Sequence, residues 1–100
     1  MPPEAPVFDE IIHAPHRLRI CAVLGAARRV EFGFLQDRLE LSKSALSKHL
    51  SQLADAGYVT QERGVREGRS RLWLTLTPAG RRAYAAHVRA LQQIIAADPG

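Results

Sequence analysis

The chain has 100 residues, 46% of them hydrophobic and 24% charged, with a formal net charge of +4. That length holds one compact domain, residues 1–100, and the composition excludes collagen-like, disordered and disulfide-stapled classes. No apolar run approaches the roughly 20 residues of a membrane-spanning helix, the start MPPEAPVFDE lacks the features of a secretory leader, and Cys21 has no second cysteine. A soluble cytoplasmic protein with no membrane partner is therefore expected.

Taken in chain order, Pro2, Pro3 and Pro6 imply an extended start. Phe8, Ile11 and Ile12 then stand at i, i+3, i+4, the spacing of a short amphipathic helical turn. Pro15 ends that turn and suits the start of a second helix, from about His16 to Ala27. This helix carries Leu18, Ile20, Cys21, Val23 and Leu24 and is apolar on most sides, as a buried helix is. Arg28–Glu31 reads as a connector or very short strand. Phe32–Glu40 reads as a helix with Phe34, Leu35 and Leu39 inward, and Leu41–Ser42 as a break. Ser42 is a good N-cap for a helix from Lys43 to Ala56, closed by Gly57. Tyr58–Arg63 and Arg71–Leu76 read as strands around a loop, Gly64–Ser70, with Leu72, Leu74 and Leu76 alternating on one face. Thr77 caps a last helix over about 78–97, with Pro78 at its first position.

The charge is unevenly spread. Between Lys43 and Arg82 eight basic side chains stand against Asp55, Glu62 and Glu67, a surplus of five; the rest of the chain carries −1. A basic surface confined to one part of a fold is the footprint of a polyanionic partner. The order helix, helix, tight turn, helix, hairpin, helix is that of a winged helix-turn-helix: mostly α, with a small β-hairpin wing. In a helix-turn-helix the second helix enters the major groove. On a 3.6-residue wheel Leu46, Leu50 and Leu53 point inward, whereas Ser44, Ser47, Lys48, Ser51 and Asp55 face outward. Short hydroxyls with a single long cation allow close approach to a groove and hydrogen bonds to phosphates and base edges. The helix start at Lys43 favours a phosphate. The hairpin loop projects Arg66 and Arg69, flanked by Arg63 and Arg71, and arginine is the residue that enters narrow minor grooves.

On these residues the chain resembles the winged-helix transcription regulators of the MarR and ArsR type, in the short branch consisting of little but the winged helix. The segments FDEIIHAPHRLRI, LSKSALSKHLSQLADAGYV and EGRSRLWLTLTPAG carry the resemblance, from Phe8 to about Leu91. It implies a sequence-specific regulator of double-stranded DNA, a repressor by expectation, with recognition helix 43–56 in the major groove and wing 64–70 at the minor groove. The Asp-x-Arg of MarR wings stands here as Glu67-Gly68-Arg69, which implies that Arg69 is the wing-tip arginine. The expected DNA-binding set is Lys43, Ser44, Ser47, Lys48, Ser51, Arg66, Arg69 and Arg71. A winged helix used instead as a protein-docking module does not need Lys48, Arg66 and Arg69 all outward.

A homodimer is expected, because one helix-turn-helix contacts too little DNA for useful specificity. Tyr84, Val88, Leu91 and Ile95 recur at 4, 3, 4 spacing on the last helix, a coiled-coil-like seam. Together with Phe8, Ile11 and Ile12 they form the expected dimer interface. His49 reads as a core-edge residue and His87 as flanking the seam at a subunit contact. Cys21 reads as an inert core thiol. Trp73 has two readings, under the last helix or bracing the wing. His13, His16 and Cys21 meet no metal-ligand spacing, and no metal or cofactor is expected. There is no nucleophile–base pair or phosphate-binding glycine loop, so no enzyme is expected. A small-molecule effector, if one acts, has to lodge between the helices or at the dimer seam.

Overall fold

The computed structural model describes residues 7–97; Pro2, Pro3 and Pro6 lie outside them. Among the described residues five helices and three strands follow in the order α1 (Glu10–His13), α2 (Pro15–Gly25), β1 (Val30–Glu31), α3 (Phe32–Leu39), α4 (Lys43–Asp55), β2 (Val59–Arg66), β3 (Arg69–Leu76) and α5 (Pro78–Ala97). The sheet is antiparallel throughout, in spatial order β1-β3-β2. This is the winged helix-turn-helix expected from the sequence.

The core is where the helical and strand periodicities meet. Ile12, Ile20, Cys21, Leu24, Leu35, Leu46, Leu50, Leu53, Leu74 and Leu76 are all essentially inaccessible. Phe34 departs from the expectation: it is 56% exposed, over a shallow hollow beside Val23 and Ala27. In the eight-residue α3 only Leu35 and Leu39, one turn apart, are buried, with Phe32 packed partly against the core, and Phe34 lies about 100° off the Leu35–Leu39 line. Cys21 is buried, and burial together with the Asp9 carboxylate pushes its thiol up to about 12, which leaves it protonated and unreactive.

The helix ends have local causes. Ser42 caps α4, its hydroxyl accepting from the Ala45 N–H at 3.1 Å. Gly57 (φ +81°) ends α4, with Gly57 N–H bonded to Ala54 O and Tyr58 N–H to Leu53 O, the paired bonds of a Schellman cap. The same pair of bonds closes α3, but there Glu40, not glycine, takes the left-handed conformation (φ 54°). Thr77 caps α5 by accepting from the Gly80 N–H at 2.9 Å.

The wing corrects the sequence reading. The strands run to Arg66 and from Arg69, so the expected loop 64–70 shrinks to a turn of two residues, Glu67 and Gly68. Both take positive φ, 54° and 74°, the pattern of a type I′ turn, whose twist matches that of a hairpin. Gly64 is a strand residue. It stays small because a Cβ there would meet the Trp73 ring at 3.1 Å. Trp73 braces the wing and does not lie under α5: it faces Glu31 on one side and Glu62 on the other, and Arg29 stacks 4.0 Å over its ring.

His87 also corrects the expectation of a subunit contact. It is fully buried inside the chain, where its Nδ1 accepts from the Asp9 N–H at 2.9 Å and its Nε2 lies 3.2 Å from His13 Nδ1. Phe8 packs against both imidazoles. Asp9 in turn caps α1 through Ile12 N–H and accepts from the Tyr58 hydroxyl. Burial, then the neighbouring His13, hold His87 below its ordinary 6.5, and Asp9 only partly opposes them. The unfolded chain therefore takes up a proton that the folded chain refuses. The contribution of His87 is complete above about pH 6.5 and is lost as pH falls below it. Urea unfolding at pH 7.5 and pH 5.5 should show a lower midpoint at the acid pH, and His87→Asn should narrow that gap. An equal gap in both proteins contradicts the assignment.

Candidate nucleic-acid interface

Burial of Leu46, Leu50 and Leu53 fixes the rotation of α4 and leaves Lys43, Ser44, Ser47, Lys48 and Ser51 exposed on its outer side. The back of the helix is clamped by Arg17 of α2, which donates to Gln52 Oε1 at 2.6 Å and lies 3.3 Å from His49 Nδ1. Arg17 also donates to the Ile11 carbonyl, tying α1 to the same point. Burial and the Arg17 charge lower the pKa of His49, which sits half-buried at the core edge as expected.

The register of the wing sorts its side chains onto two faces. Arg66 opposes Arg69, Gly64 opposes Arg71 and Glu62 opposes Trp73. Directly opposed residues share a face and neighbours in sequence alternate. Arg66, Arg69, Arg71 and Trp73 therefore stand on one side, and Arg63, Val65 and Ser70 on the other. Between α4 and the wing runs a groove of about 300 Å³. Lys43 and Ser47 line it from the helix, and Arg63, Ser70 and Arg71 from the hairpin. The structure thus brings Lys43, Ser47 and Arg71 of the expected set into one cleft. Ser44, Lys48 and Ser51 lie along the open face of α4, with Arg66 and Arg69 at the wing tip. In the sequence pattern Arg63 stands only as a charge flanking the loop. Strand alternation continued past position 63 places it on the groove side, a signal that a loop over 64–70 conceals.

Glu31, unmarked by any sequence pattern, is the acid that pairs with the wing arginines. Its carboxylate pairs with Arg66 at 3.3 Å and with Arg71 at 3.0 Å. The Arg71 Nε is buried and has no partner among the described residues. No group of His, Cys, Asp and Glu arranged to hold a metal occurs among the described residues.

Away from this face, Phe8 just before α1 and Ile11 within it are exposed, and Ile94 and Ile95 are 56% and 73% exposed on α5. Tyr84, Val88 and Leu91 are half-buried, and Ile12 is spent in the chain's own core. Among the described residues no helix is long and apolar enough to cross a membrane.

Comparison with known proteins agrees with this geometry. Residues 16–95 match the family described as winged helix DNA-binding domain. An uncharacterized protein of Methanocaldococcus jannaschii, MJ0432, is 28% identical over 88 residues, covering 88% of this chain and 91% of its own length. A transcriptional regulator homologue from Pyrococcus horikoshii OT3 superposes with a TM-score of 0.83 at 25% identity, covering 88% of this chain and 87% of the other. A putative transcriptional regulator of Thermoplasma acidophilum, TA0346, shares the fold with a TM-score of 0.70 at 23% identity, over 88% and 90% of the two chains. The chain belongs to the winged helix DNA-binding domain family, with the MarR/ArsR-like architecture of transcriptional regulators.

Proposed function

We propose that the protein is a homodimeric, sequence-specific repressor that binds double-stranded DNA in the cytoplasm. In this reading α4 enters the major groove and the wing reaches the adjacent minor groove. The observation that carries it is the convergence of Lys43 and Ser47 of α4 with Arg63 and Arg71 of the hairpin on one cleft, with every large apolar side chain of α4 turned away. Lys43, Lys48, Arg63 and Arg71 serve phosphates, Ser44, Ser47 and Ser51 come close to base edges, and Arg69 leads into the minor groove. Two such units related by a two-fold axis read half-sites about one helical turn, roughly 34 Å, apart.

The test is a salt titration on a duplex obtained by in-vitro selection with the wild-type protein. Lys48→Ala and Arg69→Ala should each weaken binding roughly tenfold, and Arg69→Ala should flatten the slope of log affinity against log salt by about one. Variants that bind like wild type with an unchanged slope would remove α4 and the wing from the interface.

A further inference from the structure

Glu31 stands where a carboxylate ordinarily has another task. It ends β1 and occupies the N-cap position of α3, with the extended backbone (φ −73°, ψ 141°) that suits capping. A carboxylate there normally accepts from the free N–H groups of the first turn and favours the helix dipole. Glu31 makes no such bond. Its two oxygens are turned instead to Arg71 and Arg66, one guanidinium each. The Glu31 side chain is only 15% exposed, while that of Arg66 is 57% exposed. It lies at the junction of the α4–wing groove and the hollow beneath Arg66 and Trp73.

We infer that Glu31 is an internal competitor for phosphate, holding Arg66 and Arg71 on the wing face and so weakening attachment to DNA of arbitrary sequence. The inference rests on the DNA-binding reading above. Sequence-independent affinity comes from cations that displace the counterions condensed on DNA. An arginine already neutralised by a carboxylate displaces them poorly, because each new phosphate contact has to take over a standing ion pair. Desolvation sharpens the competition: when the arginines leave, water replaces them poorly around a mostly covered carboxylate. Arg69, on the same face, makes no ion pair among the described residues and is free to make the first contact.

Glu31→Gln keeps the size of the side chain and removes its charge. On a random-sequence duplex of roughly three helical turns, this variant should bind three- to tenfold more tightly than wild type, with a salt slope steeper by about one to two. Glu62→Gln is the control, since it makes the same charge change on the same wing face at a carboxylate outside the ion pairs. It should steepen the slope by less than about half a unit. A second measurement needs no change at Glu31: Arg66→Ala should flatten the slope clearly less than Arg69→Ala does. The proposal is overturned if Glu31→Gln binds no more tightly than wild type, if Glu62→Gln matches it, or if the two arginine variants lose equally. Wild type that shows no salt-dependent binding to any duplex overturns the DNA-binding reading and this inference with it. Wild type that binds while Glu31→Gln stays unchanged overturns this inference alone.

Discussion

Replacing Gly80 by alanine is expected to lower the melting temperature by roughly 10–20 °C, from a cost of about 3 kcal/mol. In an exposed helix the same change is stabilising by up to about 1 kcal/mol, because alanine is the better helix former. Here space decides the sign. A Cβ at position 80 would lie 2.3 Å from the Tyr58 carbonyl oxygen and 2.9 Å from Leu76 Cδ1. The nearer obstacle is backbone, and it is held in place because Tyr58 O accepts from the Thr77 N–H at 2.9 Å. The first turn of α5 has to back away from the sheet, opening the seam over Leu76. Gly33 is the matched control: a Cβ there meets nothing within 4 Å, and Gly33→Ala should hold or raise the melting temperature. Thermal melts followed by circular dichroism check both, and an unchanged melt for Gly80→Ala would contradict the close approach.

The second large effect is expected at Ile95. Under the dimer proposal, Ile95→Glu yields a folded monomer whose affinity for a two-half-site duplex falls by about 10²–10⁴, the advantage of linking two contacts. Leu91→Glu is the less clear variant, since Leu91 is half-buried in a single chain and a charge there also disturbs the chain's own packing. Ile95 is 73% exposed and contributes little to its own core, so its substitution reports on the partner alone. Light scattering and DNA titration of the same sample separate the outcomes. Wild type that is monomeric at micromolar concentration and still binds tightly would end the dimer proposal, as would Ile95→Glu that remains dimeric with full affinity.

Those parts of the molecule that the sequence exposed are the ones governed by short-range rules. Leu46, Leu50 and Leu53 fix the face of α4 by spacing alone, Ser42 and Gly57 bound it by capping chemistry, and Thr77-Pro78 announces α5. The outward residues of α4 follow from the inward ones, so half of the candidate interface could be placed without coordinates. Reading Glu67-Gly68 as a two-residue type I′ turn would also have given the register Arg66–Arg69 and the two faces of the wing. Glycine at 64 and 68 and the surrounding arginines looked instead like a loop. Pairs that depend on tertiary closure left no mark in the sequence: Glu31 with Arg66 and Arg71, Arg17 with Gln52, His87 with Asp9. Phe34 defies its pattern because a large apolar side chain on a short helix reads as core whether or not a neighbour reaches it.

The bond between Asp9 and His87 joins residues 78 positions apart, and this bears on the order of events during synthesis. Ribosomes add about 5–20 residues per second, so roughly 4–16 s pass between the making of Asp9 and that of His87. Helices and hairpins form in microseconds. The helix-turn-helix and the wing are therefore complete in covalent terms well before the α1 segment gains its last partner, His87. The Asp9 carboxylate can already engage Ile12 and Tyr58, but its backbone N–H, and the seat of Phe8 against the His87 ring, wait for α5. Under the dimer proposal, pairing that needs both Phe8 and Ile95 in place is thereby open only to chains whose synthesis has already passed α5.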